Sequence, residues 1–162
     1  MYPYFLITVI SIFLALLYHL SNKKSRSANL LLFLSFTSLF IFSAIRYNVY
    51  TDYLYTYVPE YHKIAAGATN THYEFLFYMF NLLIYHVFNN VDWLFIITSF
   101  IIMFFTGKAL KEKSPIIPLS IFIMIGSRMY FYSFDQIRQY ITIAIFLYNI
   151  KNIVNKSENI LF

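Results

Sequence analysis

The chain has 162 residues, 60% hydrophobic, 22% aromatic and 12% charged, with a formal net charge of +5. A soluble domain carries about 25% charged residues, so this charge density and a mean hydropathy of +0.62 place the chain in a membrane. No basic stripe lies on a polar module, which argues against nucleic acid as a partner, and the absence of cysteine excludes disulfides and thiolate metal sites.

Tyr2 to Leu20 is an apolar run of 19 residues interrupted only by Thr8, Ser11 and His19, close to the roughly 20 needed to cross a bilayer. No Lys or Arg precedes it and no small-residue cleavage site follows. It is expected to be an uncleaved anchor and not a signal peptide. The basic loop carrying Lys23, Lys24 and Arg26 then belongs in the cytoplasm, with the N-terminus outside. Residues 28–45 return to the outer face as a second span.

Arg46 to Tyr73 is the longest polar stretch, with Arg46, Asp52, Glu60, His62, Lys63 and His72. Pro59 and the Ala-Ala-Gly-Ala-Thr-Asn tract at 65–70 read as loop or turn punctuation. Segment 74–88 is apolar but short. Glu74, Tyr78, Asn81, Tyr85 and Asn89 fall at offsets of four, seven, eleven and fifteen, on one helical face. This fits either an interfacial amphipathic helix or a re-entrant element lining a cavity. Segment 93–108 is a firmer span, opening on the interfacial Trp93 and closing at Lys108, Lys111 and Lys113.

Counting Lys and Arg orients the chain. If segment 74–88 does not cross, eight cations lie inside (Lys23, Lys24, Arg26, Lys108, Lys111, Lys113, Lys151, Lys156) and four outside (Arg46, Lys63, Arg128, Arg138). If it crosses, the split becomes five to seven, so the positive-inside rule favours the first topology. Segment 115–132 climbs back out with Arg128 near its outer end, and Pro115 and Pro118 suit a first helical turn. Segment 135–154 then descends. Taken as a helix, Asp135, Arg138, Gln139, Thr142 and Asn149 share one face. A charge at membrane depth costs roughly 2.5–3.5 kcal/mol on insertion scales, so this face is read either as the wall of a polar site or as an Asp135–Arg138 pair marking a helix end. The expected fold is an all-α polytopic membrane bundle in a single domain, 1–162, with about five full spans and one short or re-entrant helix.

Arg46-Tyr-Asn-Val-Tyr-Thr-Asp52-Tyr53, then Glu74 ahead of an aromatic-rich helix, then Ile137-Arg138-Gln139 entering a span, resemble in order and placement the motifs of the EpsG family. These are Wzy-like membrane proteins of bacterial exopolysaccharide and O-antigen assembly. The family's first motif looks like R-x-x-V-G-T-D-Y, and this chain carries Tyr50 where the family has Gly. Relatives are longer and carry further spans, so the resemblance implies the N-terminal portion of such a protein.

What the resemblance implies is glycosyl transfer, a polymerisation, between polyprenyl-diphosphate-linked oligosaccharides at the outer face of the bacterial cytoplasmic membrane. Membrane lipids and other polysaccharide-assembly proteins would be its further partners. A departing diphosphate calls for fixed positive charge, which Arg supplies through bidentate contacts, and Arg46, Arg138 and Arg128 are the candidates. An acceptor hydroxyl calls for a base, and a carboxylate in a partly dry site suits that task. Asp52 comes first and Glu74 second. Tyr53, Tyr78 and Gln139 are the candidate sugar contacts. Each has a plainer reading: Arg46 as a headgroup anchor, Asp52 as a turn residue, Glu74 as a helix N-terminal charge and the tyrosines as an interfacial belt. His62 and His72 stand ten residues apart with no third ligand at fitting spacing, so no metal or other cofactor is expected; His19 and His86 suit packing or the interface. A transporter of polysaccharide or lipid-linked sugar and a non-catalytic membrane subunit of a glycan-assembly complex are the competing functions.

Overall fold

The computed structural model describes residues 2–21, 25–49 and 51–158. Lys23 and Lys24 of the basic loop, Tyr50 and residues 159–162 lie outside the described residues, as do the side chains of Lys151 and Lys156. All regular structure among the described residues is helical: α1 (Tyr2–Leu20), α2 (Arg26–Ala44), a π-helical turn (Tyr53–Tyr57) leading into α3 (Val58–Ala65), α4 (Phe75–Phe88), α5 (Asp92–Lys113), α6 (Ile117–Gly126), α7 (Met129–Tyr132) and α8 (Ile137–Glu158).

Small residues set how closely the first two helices approach. Ser11 and Ala15 of α1 and Ala28 and Ser35 of α2 are fully buried, and the Ser35 hydroxyl donates to the Ser11 carbonyl at 2.8 Å. Small side chains let helix backbones close in where lipid offers no hydrophobic drive, and interhelical hydroxyl bonds add to the packing. Ser25 caps α2 by accepting the Ala28 N–H at 3.1 Å. Gly107 in α5 continues the theme: a Cβ there would stand 3.3 Å from the Phe36 ring of α2.

The directions of α2 and α5 fix the topology around the site. Lys111 near the end of α5 donates to Asn29 near the start of α2 at 2.8 Å. Phe40 and Phe100 meet edge to face, and Arg46 just beyond α2 lies over Phe95 in the first turn of α5. The two helices are therefore antiparallel, and the stretch between them leaves and re-enters the bundle at the same end. Helix α4 makes no net crossing. It stops at Asn89, whose left-handed backbone (φ 50°) closes the last turn.

Helices α1, α2, α5, α8 and the α6–α7 pair run between the two ends, but among the described residues only α2 and α5 are long and apolar enough to cross a membrane by themselves. Five full spans were expected, and the structure supports two by length and hydropathy. The continuous segment expected over 115–132 is broken: α6 has 10 residues, about 15 Å of helix against a hydrocarbon core of about 30 Å. It is separated from α7 by Arg128 in the left-handed region at φ 63°. Helix α8 has 22 residues but ends in Asn152, Asn155, Lys156 and Glu158.

The polar 46–73 stretch is helical over residues 51–65. Pro59 falls in the first turn of α3, where its missing N–H has no partner to lose. The turn expected at 65–70 is present, with Gly67 at φ 85°. Outward-facing Phe5, Leu6, Phe33, Phe122 and Phe146 are all more than half exposed, as suits a surface whose solvent is lipid.

Candidate functional site

Two hydrophobic clusters hold the bundle, and the site lies beside the second. The first joins α1, α2, α5, α6 and α7 around Leu39, Ile121 and Tyr130. The second is rich in tyrosine: Tyr53, Tyr57, Tyr61 and Tyr73 pack with Ile84, Leu94, Phe95 and Ile137.

The π-helical turn aims two side chains one way. The Val58 N–H bonds to the Tyr53 carbonyl, five residues back. A turn closed by an i→i+5 bond brings residues five apart nearer to one direction than an ordinary helix at 3.6 residues per turn, which would swing them about 140° apart. Asp52 and Tyr57, spaced by five, line the same cleft. The turn also holds the start of α8. The Ile137 N–H, one of the donors a helix leaves free in its first turn, donates to the Tyr57 hydroxyl oxygen at 3.1 Å. The Asp52 N–H donates to Asp135 Oδ1 at 3.0 Å.

A cleft of about 530 Å³ opens between this turn, α4, α5 and α8. Asp52, Tyr57, Glu74, Gln136, Arg138 and Gln139, all at or near helix N-termini, and Thr142, a turn further along α8, supply its polar lining. Phe77, Phe80, Ile101 and Ile141, further along the same helices, make the rest apolar. Across the cleft the Arg138 guanidinium donates to the Glu74 carboxylate at 2.5 Å. The guanidinium is backed by the rings of Tyr73 and Phe77 at 5.4 and 6.0 Å, a favourable cation–π arrangement. Two other hollows are mainly apolar, one among α5, α6, α7 and α8 and one along α2 and α5.

Arg46 stands behind the cleft. It is 7% exposed, lies over the rings of Phe95 (4.9 Å) and Phe134 (5.4 Å), and its Nε and Nη2 have no protein hydrogen-bond partner. Burial lowers its pKa to about 10, against the pull of the nearby Tyr57, Tyr130 and Tyr53 oxygens, so it remains a cation at neutral pH.

The two candidate carboxylates differ. Burial and the neighbouring Asp135 raise the Asp52 pKa, opposed by a hydrogen bond from Thr56 and by Arg138. Glu74 is held below the ordinary range by its own backbone N–H and by Arg138. The Tyr57 hydroxyl is pushed up by burial.

The fold brings Asp52, Glu74, Arg138 and Gln139 of the expected site residues into one cleft and places the rest elsewhere. Tyr53 is buried and stacked on Phe95 at 4.8 Å, which takes its face away from a sugar. Tyr78 packs against the tyrosine-rich cluster. Arg128 is exposed at the α6–α7 break and does not line the cleft. Asp135 precedes α8 in a turn, so its expected register with Arg138 is replaced by the bond to Asp52, and Arg138 pairs with Glu74 instead. Asn149 spends its amide on the Ile145 carbonyl at 2.9 Å. Asn81, expected on the Glu74 face, is wholly buried. Two polar lining residues were missed as site candidates, Tyr57 and Gln136. The first needed the π turn to be recognised, and the second sits beside the Arg138 motif without a signal of its own.

The model of the EpsG family matches residues 29–162. No match is found among curated proteins or among solved structures.

Proposed function

The chain belongs to the EpsG family, membrane proteins of exopolysaccharide biosynthesis, and from that premise we propose that its cleft transfers glycosyl units between polyprenyl-diphosphate-linked oligosaccharides. The observation that carries this reading is the convergence of Asp52, Glu74 and the Arg138-Gln139 pair, from three separate stretches of the chain, on one cleft with a polar mouth and an apolar floor. Such a lining matches an amphiphile with a charged head and a hydrocarbon tail.

In this reading the acceptor hydroxyl oxygen attacks the anomeric carbon of the donor sugar. The bond from that carbon to the diphosphate oxygen breaks, and its electron pair leaves with the diphosphate. The hydroxyl proton passes to Asp52, whose raised pKa suits a base better than that of Glu74, already engaged by Arg138. Arg138 receives the departing charge directly, and Arg46 adds fixed positive potential from behind Tyr57. Gln139 reaches the sugar from the cleft wall. All five passages of the chain cross the cytoplasmic membrane, with the lysine-bearing ends of α5 and α8 inside and the cleft and N-terminus outside.

The test is expression of the chain in a polymerase-deficient strain, with glycan length read on a gel. A ladder that disappears with Asp52→Asn is expected. A ladder indifferent to Asp52→Asn would overturn the reading.

A further inference from the structure

Arg138 is the only cation among the described residues lining the cleft, and Glu74 holds it. Helix α4 packs on α3 and α5, and α8 on α5, so this ion pair, with Arg138 lying over Phe77, spans the cleft between α4 and α8. The two partners are unequally fixed. The Glu74 side chain is 73% exposed, and that of Arg138 is 35% exposed with its guanidinium over two aromatic rings. Were the pair to part, Arg138 would keep its place and Glu74 would swing into open space.

A carboxylate and a phosphate offer Arg the same thing, anionic acceptor oxygens in reach of its planar fork. From this we infer that Glu74 is a charge latch: it occupies the phosphate position on Arg138 in the empty cleft and yields to a diphosphate, but not to the phosphodiester of bulk phospholipid. The inference rests on the reading of the cleft as a diphosphate site. Its physical basis is competition. A membrane protein's cleft is bathed in phospholipid, each headgroup carrying one phosphodiester charge, and an unlatched Arg138 would bind any of them. An exposed ion pair is weak enough to part, yet a singly charged ligand gains little by replacing one carboxylate with another anion of equal charge. A diphosphate brings more charge and more acceptor oxygens, and so displaces Glu74.

The full chain in detergent is titrated with farnesyl diphosphate, with phosphatidylglycerol as competitor and farnesol as the uncharged control. Glu74→Gln is expected to bind farnesyl diphosphate about fivefold more tightly than the unaltered chain. Phosphatidylglycerol should displace the probe from Glu74→Gln at concentrations that leave the unaltered chain loaded. Glu74→Ala should behave as Glu74→Gln does, and Arg138→Gln should lose the probe in either background. No gain in either Glu74 variant, or equal competition by phosphatidylglycerol with and without Glu74, overturns the latch while leaving the diphosphate site standing. Binding of farnesyl diphosphate no tighter than farnesol, in the unaltered chain and in Glu74→Gln alike, overturns the site and the latch together.

Discussion

At one end of the bundle Lys108, Lys111 and Lys113 find neutral partners: the Phe104 ring at 4.4 Å, the Asn29 amide oxygen at 2.8 Å and the Tyr148 carbonyl at 2.6 Å. At the other end Arg46, Asp52, Glu74, Asp135 and Arg138 mix both signs, crowd one cleft and its back wall, and include a cation buried beneath aromatic rings. The lysine end does what long side chains at a membrane edge do, lying along apolar surface while the ammonium reaches polar atoms. Stability and orientation suffice to explain it. They do not explain an Arg that gives up hydration with two nitrogens unpaired, or a carboxylate set against another carboxylate. Charges held against their own solvation preference mark function, so substitutions at the two ends should separate activity from folding.

The largest difference is expected from Arg138→Lys. An ammonium keeps the charge but loses the planar fork that meets two phosphate oxygens at once, and polymer formation should fall by about 100-fold or more. The protein's level in the membrane should be unchanged. Lys108→Gln, a charge loss at the opposite end, should leave the glycan ladder intact. Polymer of normal length from Arg138→Lys would remove the distinction between the ends.

Arg46 sharpens the comparison because its stability and activity effects should have opposite signs. Replacing buried charge with an apolar side chain of similar reach is often neutral or stabilising, and Arg46 stands over Phe95 and Phe134 with Nε and Nη2 unpaired. Arg46→Met is expected to raise the melting temperature in detergent, with a gain of about 1 kcal/mol, and to lose polymer formation. A clear drop in melting temperature would show that the guanidinium serves the fold.

How much of this was legible in the residues follows the same division. Hydropathy located α2 and α5, because an apolar run of sufficient length reads the same in sequence and in space. It overcounted spans at 115–132, where Arg128 adopts a left-handed backbone that composition does not encode. Arg138, Glu74, Asp52 and Gln139 were identified as site candidates, since a charge beside an apolar segment is conspicuous. Their partners were not: the Asp52–Asp135 bond spans 83 positions and the Glu74–Arg138 pair 64, separations that no local period reports. Tyr57 was lost among 16 tyrosines because its alignment with Asp52 depends on a π turn, which periodicity arguments built on 3.6 residues cannot see.

A smaller effect is expected from pH at Asp52. Its folded-state pKa is raised by burial and by Asp135, so the ionised form weakens the fold. The stability linked to this group is present below its unfolded pKa and is lost as pH rises through the folded one. Asp52→Asn should therefore melt about 1–2 °C above the unaltered chain at neutral pH, and the gap should close as the solution is acidified. In the polymerisation assay the acid limb of the unaltered chain should sit above the ordinary aspartate value of about 3.9, because a base must be ionised to accept a proton. A constant melting difference from pH 4 to pH 8 would contradict the assigned shift.

The smallest effect belongs to Lys111→Gln. Its bond to Asn29 ties α5 to α2 at an exposed site, where a charged hydrogen bond is screened and the chain pays entropy to hold it. Glutamine is shorter but still carries an amide donor, so the loss should stay within about 0.5 kcal/mol. Polymer length should not change, since the cleft lies at the other end of α5. Repeating the melts at low and high salt decides the matter: the small difference should shrink further in high salt. A loss of several degrees that salt does not touch would mean that Lys111 locks α2 to α5 structurally, and that the two ends differ less than their partners suggest.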